Sequence, residues 1–454
     1  MNSKYKFCLM SLFAEMTHAA HDLPGRRITG HVSAVIGMKL TVRGIERAVG
    51  IGARCRVTPL AGPSVDGEVL GIDEAGVHLL PFGTWSGIGP GASVEVIPGG
   101  ATLRPGRAWI GRVIDPLGAP LDDLGALPPA GPARPIRSAP PPAFGRRSVG
   151  SRLETGVKAM DIFAPLCTGQ RMGIFAGSGV GKSTLMSMLA RRGEADVIVV
   201  CLVGERGREV QDFLRHALGP EGLARSVVVA ATGDAAPLLR RQAAWTATTV
   251  AEALRDEGLN VLMMLDSVTR FAQAQREIGL SLGEPPAARG YPPTVFAELP
   301  QLLERTGPGT EGQGDITALY TVLVDGDDLN DPVADAVRGI LDGHLVLSRR
   351  VAERGRYPAI DLERSLSRML PDCHSPAENA VLTAARSALG RYGEMEDLIR
   401  IGAYKSGADP ATDTSVAVAT GAETYLAQSR DSHVPTCDAF AGLRAILSEA
   451  GVEP

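Results

Sequence analysis

The spacing of hydrophobic and polar positions changes character three times along the chain. From about Arg27 to Gly100, short alternating or apolar runs (HVSAVIGMKLTVRG, ARCRVTPL, DGEVLGID, GVHLLPF, ASVEVIPG) are separated by Gly, Pro and Asp. Strands at that regular spacing predict a small β-barrel over residues 27–100. Over residues 101–371, strand-like apolar runs alternate with longer helical patterns, which predicts an α/β domain with a mainly parallel sheet. Its expected strands are Arg171–Ala176, Asp196–Val203, Asn260–Leu265, Ile316–Val324 and His344–Ser348. DVIVVCLV, from Asp196, is apolar almost throughout, as a strand covered on both faces requires. After Pro371 the pattern is helical. In SPAENAVLTAARSALGRYGEMEDLIRIGA, Ser375 is the expected N-cap and Pro376 falls in the first turn. Val381, Ala385, Leu389 and Tyr392 recur at helical spacing, so residues 372–454 read as a small helical domain packed through that stripe. Residues 128–150 (PPAGPARPIRSAPPPAFGRRSVG) are Pro-rich and are expected to run extended along the surface.

One stretch resists explanation by packing. FAGSGVGKSTLM, residues 175–186, offers almost no side-chain area to bury. It follows the predicted strand RMGIFA and precedes a predicted helix from Lys182 to Arg192. Glycines at such a junction turn successive backbone N–H groups inward, and the helix N-terminus adds partial positive charge. The pattern G-x-x-x-x-G-K-[ST] is followed by Ala176, Gly177, Ser178, Gly179, Val180, Gly181, Lys182 and Ser183, departing from it only in the alanine at the first position, and Thr184 comes directly after. This is a P-loop: Lys182 reaches the outer phosphates of a nucleotide and the Ser183 hydroxyl binds Mg²⁺.

Two acids extend the site. The run DVIVVCLV leads into GERGREV, placing Glu205 just past the carboxyl end of a strand, where ligands of open α/β sheets collect. A carboxylate there orients and polarises an attacking water. NVLMML ends in Asp266, the expected strand-end partner of Mg²⁺.

Composition narrows the function classes. Across 454 residues, 44% are hydrophobic and 21% charged, ordinary for a globular protein of more than one domain. A formal net charge of -5 and 4% aromatics argue against a protein built to coat or stack on nucleic acid. In the barrel region only Phe82 and Trp85 are large aromatics. The six cysteines form no CxxC pair, which reads as free thiols in a reducing compartment. The first 20 residues (MNSKYKFCLMSLFAEMTHAA) carry two lysines before an apolar run that Glu15 interrupts. Residues 1–26 are therefore read as an amphipathic docking segment or a disordered leader.

GSGVGKST, GERGREV, LMMLDSVTRFAQAQREI, PPAARGYPPTVFAELPQLLERTG and YPAIDLERSLSRML occur in that order. With them the chain resembles the α/β subunits of rotary ATP synthases, and within that superfamily the type III export ATPases. The short signature PAIDLERSLS, Pro358 to Ser367, carries the same resemblance. It implies a central RecA-like ATP-hydrolysing domain between the barrel and the helical tail, with ATP and Mg²⁺ as substrate and cofactor. Glu205 would be the catalytic carboxylate, assisted by Lys182, and Ser183 and Asp266 would serve the metal. Tyr357 would lie against the adenine, and Arg206 and Arg270 near the phosphates. Arg368, in SLSRM, matches an arginine finger that reaches a neighbouring subunit's nucleotide. One chain then carries both halves of the site, which implies a homo-hexamer.

The phrase EDLIRIGAYKSGADP is closest to the flagellar export branch. That branch implies a regulatory partner on the N-terminal segment, a stalk-like export component, export chaperones and substrates, and peripheral contact with a membrane export gate from the cytoplasm. No nucleic acid partner is expected. The alternatives are a virulence injectisome ATPase, a catalytic subunit of an ion-driven ATP synthase, and a hexameric RNA translocase.

Overall fold

The computed structural model describes residues 27–192 and 194–453, and the backbone divides after Ala101 into two compact units. The expectation for residues 1–26 lies outside the described residues. In the first unit, β1 (Thr29–Ile36), β2 (Lys39–Arg43), β3 (Arg54–Thr58), β4 (Val65–Asp73), β5 (Gly76–Pro81) and β6 (Ser93–Val96) close in the order β1-β2-β5-β4-β3-β6. Closure pairs β1 with β6 antiparallel, Thr29 opposite Glu95, so no edge is left unpaired. Val32, Leu40, Val42, Val57, Val69 and Val94 fill the interior. Both aromatics are engaged within the unit. Phe82 is buried under the Arg54 guanidinium, 5.1 Å from its ring centroid, and Trp85 Nε1 donates to the Met38 carbonyl at 2.7 Å.

In the second unit, β7 (Val113–Ile114), β8 (Arg171–Ala176), β9 (Val197–Glu205), β10 (Ser226–Thr232), β11 (Val261–Asp266), β12 (Asp315–Leu323), β13 (Gly343–Leu347) and β14 (Leu366–Ser367) form one sheet. Their order is β14-β13-β8-β12-β11-β9-β10-β7, with the short segment Gly307–Pro308 added to β12. All neighbours from β13 to β7 are parallel; β14 runs antiparallel on the edge. β9 is longer than the apolar run suggests. Gly204, at φ 70°, makes a bulge that lets Glu205 still pair with Thr232, so Glu205 is the last residue of the strand and not the first beyond it.

Three long helices follow: Pro376–Arg400, Pro410–Leu426 and Thr436–Glu449. Ser375 caps the first through a reciprocal pair of bonds with Glu378, at 3.3 and 2.7 Å. Val381 and Ala385 are fully buried, whereas Leu389 and Tyr392 are only half covered and burial passes to Ala388. The cause is a cleft at that end of the helix, lined by Arg350, Arg354 and Glu396. Val381, Ala385 and Leu443 share one hydrophobic cluster with Met160, Phe163 and Leu185, so these helices complete the core of the sheet unit. The Pro-rich segment is mostly exposed, but Ile136 is buried. Its carbonyl accepts from Arg305 Nη1 at 2.7 Å and Thr249 Oγ1 at 3.1 Å, which pins the strap to the domain.

Candidate active site

β8 ends at Ala176, buried between β12 and β13, and the chain must turn at once into helix α1 (Lys182–Arg192). Gly179 and Gly181 make the turn at φ 78° and 102°, a region that side-chained residues rarely adopt. At Gly177 the reason is space, since a methyl group would lie 2.6 Å from Asp327 Oδ1. Val180 is buried and anchors the loop from beneath, and the Ser178 carbonyl accepts from Arg349 Nη2 at 3.1 Å. Helical bonding starts with the Leu185 N–H on the Gly181 carbonyl, 3.1 Å. Earlier amides of the loop and first turn are left to face an anion.

Two strands bring charge to this loop, and a third brings a hydroxyl. The Lys182 ammonium sits against Asp266 Oδ1 and 3.7 Å from Glu205 Oε1. Register places Leu202 of β9 opposite Asp266, so Glu205 stands three residues further out along the same edge. Asp266 is buried and also accepts a 2.6 Å bond from Thr321 Oγ1 on β12. The Glu205 carboxyl is pushed up to about 7, first by burial, then by its bond with Glu209 and the charge of Asp266, while Lys182 pulls the other way. Glu209 keeps its charge and lies below the usual carboxylate range because of the same shared bond. Glu205 Oε1 is buried without a hydrogen-bond partner among the described residues, which suits a group that meets its partner only when a ligand is present. Glu205, Glu209 and Asp266 open on a cavity of about 270 Å³ that Ser183, Thr184 and Arg430 also line. These oxygen donors fit a hard cation such as Mg²⁺.

Tyr357 borders the other side of the loop. Its ring lies 3.5 Å from where a Gly181 methyl would stand, it is 42% exposed, and its carbonyl accepts from the Gln428 N–H at 2.7 Å. Arg270 packs its stem over Gly204, with Nη1 donating to Gln273 at 2.9 Å and Nε buried without a hydrogen-bond partner among the described residues. Arg206 is exposed and reaches Glu209 at 3.9 Å. Arg368 is not brought to this edge. It follows β14, and its N–H donates to Asp342 at 3.0 Å at the amino end of the sheet. Its side chain is exposed and makes no ion pair among the described residues.

Sequence reasoning missed Glu209, Thr321, Asp327 and Arg349. Thr321 was visible as a polar interruption of ITALYTVLV, and Glu209 as a second acid one helical turn beyond Glu205. Asp327 and Arg349 come from loops whose approach to Gly177 and Ser178 no local pattern announces.

Comparison with known proteins decides the family. Residues 156–367 match the nucleotide-binding domain of the ATP synthase alpha/beta family, and residues 375–445 match the T3SS EscN ATPase C-terminal domain. A flagellum-specific ATP synthase from Caulobacter vibrioides is 50% identical over 92% of this chain and 96% of its own length. The chain belongs to the flagellum-specific ATP synthase family. It is an ATPase of the type III export class within the ATP synthase α/β superfamily. A relative of the same description from Salmonella typhimurium is 46% identical over 89% of this chain and 91% of its own. A type 3 secretion system ATPase from Xanthomonas euvesicatoria is 45% identical over 90% and 91%. Among solved structures, assembled EscN from the enteropathogenic E. coli type III secretion system superposes with a TM-score of 0.86. It is 39% identical and covers 92% of this chain and 100% of EscN. EscN has also been solved in complex with its central stalk EscO, with a TM-score of 0.82 and 38% identity over 92% of this chain and 100% of that one. The secretion-type C-terminal match disfavours a catalytic subunit of an ion-driven synthase. Among the described residues no helix is long and apolar enough to cross a membrane.

Proposed function

We propose that the chain hydrolyses Mg-ATP at the subunit interfaces of a homo-hexamer and thereby energises protein export through the flagellar type III apparatus. The observation that carries this is the P-loop lysine held between Glu205 and Asp266 on one sheet edge. The loop amides from Gly177 to Gly181 and Lys182 bind the β- and γ-phosphates. Ser183 and Asp266 hold the Mg²⁺, which neutralises charge on the phosphates. Glu205 orients a water and accepts its proton as that oxygen joins the γ-phosphorus and the bond to ADP breaks. Tyr357 covers the adenine, and Arg270 and Arg206 stand near the phosphate end. Arg368 acts on the nucleotide of the adjacent copy, where such fingers are worth about 10³–10⁵ in rate.

The assembled state of EscN supports the ring, and its stalk complex supports a stalk partner for this chain. The flagellar assignment follows the relatives at 44–50% identity. On this reading the enzyme works in the cytoplasm, in peripheral contact with the membrane export gate. There it receives chaperones and export substrates, and residues 1–26 engage a regulatory partner. The test is specific ATPase activity against protein concentration for wild type and Arg368→Ala. Wild-type activity per chain should climb with concentration. Arg368→Ala should assemble, hydrolyse more slowly by roughly 10³-fold or more, and be partly rescued in mixed rings. Activity that is flat on dilution and indifferent to Arg368 refutes the shared site.

A further inference from the structure

One wall of the nucleotide cavity comes from the C-terminal helical region. Residues 427–435 join the second and third of the long C-terminal helices and are tied down on either side of Arg430. Gln428 is buried; its N–H donates to the Tyr357 carbonyl at 2.7 Å and its Nε2 to the Gly156 carbonyl at 2.8 Å. Asp431 Oδ1 accepts from Arg191 Nη1 of α1 at 3.1 Å, and Arg191 Nε donates to the Ala217 carbonyl at 2.9 Å. Between these two anchors Arg430 lines the same cavity of about 270 Å³ as Ser183 and Thr184. The carboxylates of Glu205, Glu209, Asp212 and Asp266 line it too, and among the described residues that do so Arg430 is the one arginine or lysine. Lys182, at the loop, is already held against Asp266 and stands 3.7 Å from Glu205. The ion pair of Arg430 is a 3.5 Å contact with Asp431, its neighbour in the chain, and its side chain is 65% exposed.

We propose that Arg430 is a further substrate-contacting residue: its guanidinium binds the phosphate of the nucleotide that lies next to the ribose. This rests on the reading that the P-loop binds Mg-ATP, and on nothing about the ring. The position follows from what the segment is tied to. Gln428 is bonded to Tyr357, which stands at the base, whereas the cavity that Arg430 lines holds Glu205 and Asp266, at the outer phosphates and the metal. A side chain between the two meets the innermost phosphate. A polyanion entering a space lined by acids needs positive charge beyond one shared lysine and a metal ion. A guanidinium meets that need with charge-assisted bonds to two phosphate oxygens at once. Arg430 belongs to the C-terminal helical region, so the nucleotide is held by the sheet and by these helices together.

The test uses the full-length protein, wild type with Arg430→Ala, Arg430→Lys and Arg430→Phe. Initial rates are measured against Mg-ATP, and melting midpoints with and without Mg-ADP, which keeps the phosphate in question and requires neither turnover nor a ring. Arg430→Ala should raise KM roughly 10-fold or more, with kcat changed by less than about twofold. Lysine should recover part of the loss, because it returns the charge without the fork. Phenylalanine, which stacks on a base and cannot pair with a phosphate, should be as poor as alanine. Without nucleotide all three variants should melt as wild type does, and Mg-ADP should raise the midpoint of the alanine variant by a few degrees less. An alanine variant with the wild-type KM and the wild-type response to Mg-ADP overturns the contact. Recovery by phenylalanine and not by lysine puts Arg430 on the base and overturns the phosphate assignment. A KM defect that neither relieves, together with a lowered midpoint in the absence of nucleotide, traces the loss to folding of the segment and also overturns it. A wild type without ATPase activity sinks the hydrolytic reading alone, because the Mg-ADP response still reports on Arg430.

Discussion

Thr321→Val swaps a hydroxyl for a methyl at nearly constant volume, inside the sheet and out of contact with solvent. The hydroxyl lost is the one that donates to Asp266 Oδ1 at 2.6 Å, between two buried groups. Hydrogen bonds to a charged acceptor contribute about 1.5–3 kcal/mol. At about 1.4 kcal/mol per decade this is a loss of roughly 10- to 100-fold, the range found for residues that orient metal ligands from behind. The Lys182 contact remains, so Asp266 keeps its ion-pair partner and loses its fixed direction. The assay is the initial ATPase rate against Mg²⁺ at fixed ATP, for wild type, Thr321→Val and Thr321→Ser, with urea unfolding in parallel. The valine variant should need more Mg²⁺ for half-maximal rate or turn over more slowly by that factor. Serine should restore most of it, because it returns the hydroxyl and not the methyl. A valine variant with the wild-type Mg²⁺ curve would refute the idea that Thr321 aims Asp266 at the metal. A serine variant as poor as the valine one would trace the defect to packing.

The Glu205 carboxyl, raised to about 7, must be ionised to act as a base, so kcat/KM should rise with pH below about 7 and level off above it. Glu209→Gln removes a bond that raises Glu205 and should move this limb to lower pH, whereas Glu205→Gln should bind ATP and abolish turnover at every pH. Tyr357→Ala should raise the KM for ATP several-fold with little change in kcat, and Tyr357→Phe should not; a kcat defect in both would argue against a contact with the base. Arg305 is fully buried, bonds both oxygens of Glu252 and lies 5.5 Å from the Trp245 ring centroid, so Arg305→Met strands an acid and should cost about 3–5 kcal/mol in urea unfolding. Adding Glu252→Met should recover much of that loss.

The chemistry was legible wherever a backbone demand and a side-chain type coincide in a short window. The glycines before Lys182 announce both the turn and the anion, and an acid ending an apolar run announces the sheet edge. Small errors came from the same short range. The apolar run DVIVVCLV ends at Val203, yet Gly204 lets pairing continue to Glu205, because a bulge depends on β10 as a partner and not on the run itself. The helical stripe predicted Leu389 and Tyr392 in a core, but burial at that end is decided by the cleft of Arg350, Arg354 and Glu396. Ile136 was read as part of a surface strap, and only the fold shows that Arg305 and Thr249 both need its carbonyl.

The sheet keeps the phosphate loop and the arginine proposed to act in trans at opposite ends. β8 runs from Arg171 to Ala176, with the phosphate loop at its carboxyl end. Arg171 pairs with Asp342 at 3.0 Å, and the Asp342 carbonyl accepts from the Arg368 N–H at 3.0 Å, so Arg368 stands at the amino end. At about 3.3 Å per residue the strand separates the two by roughly 20 Å, further than an arginine side chain extends. No change of rotamer brings Arg368 to its own Lys182. If Arg368→Ala lowers turnover while leaving nucleotide binding intact, the arginine must act on another copy. The defect should then follow the fraction of wild-type neighbours in a mixed assembly and not the fraction of wild-type P-loops. Mixing Arg368→Ala with Glu205→Gln separates the cases. A shared site regenerates activity wherever an intact Glu205 meets an intact Arg368 from the next chain, whereas two self-contained defective sites regenerate none.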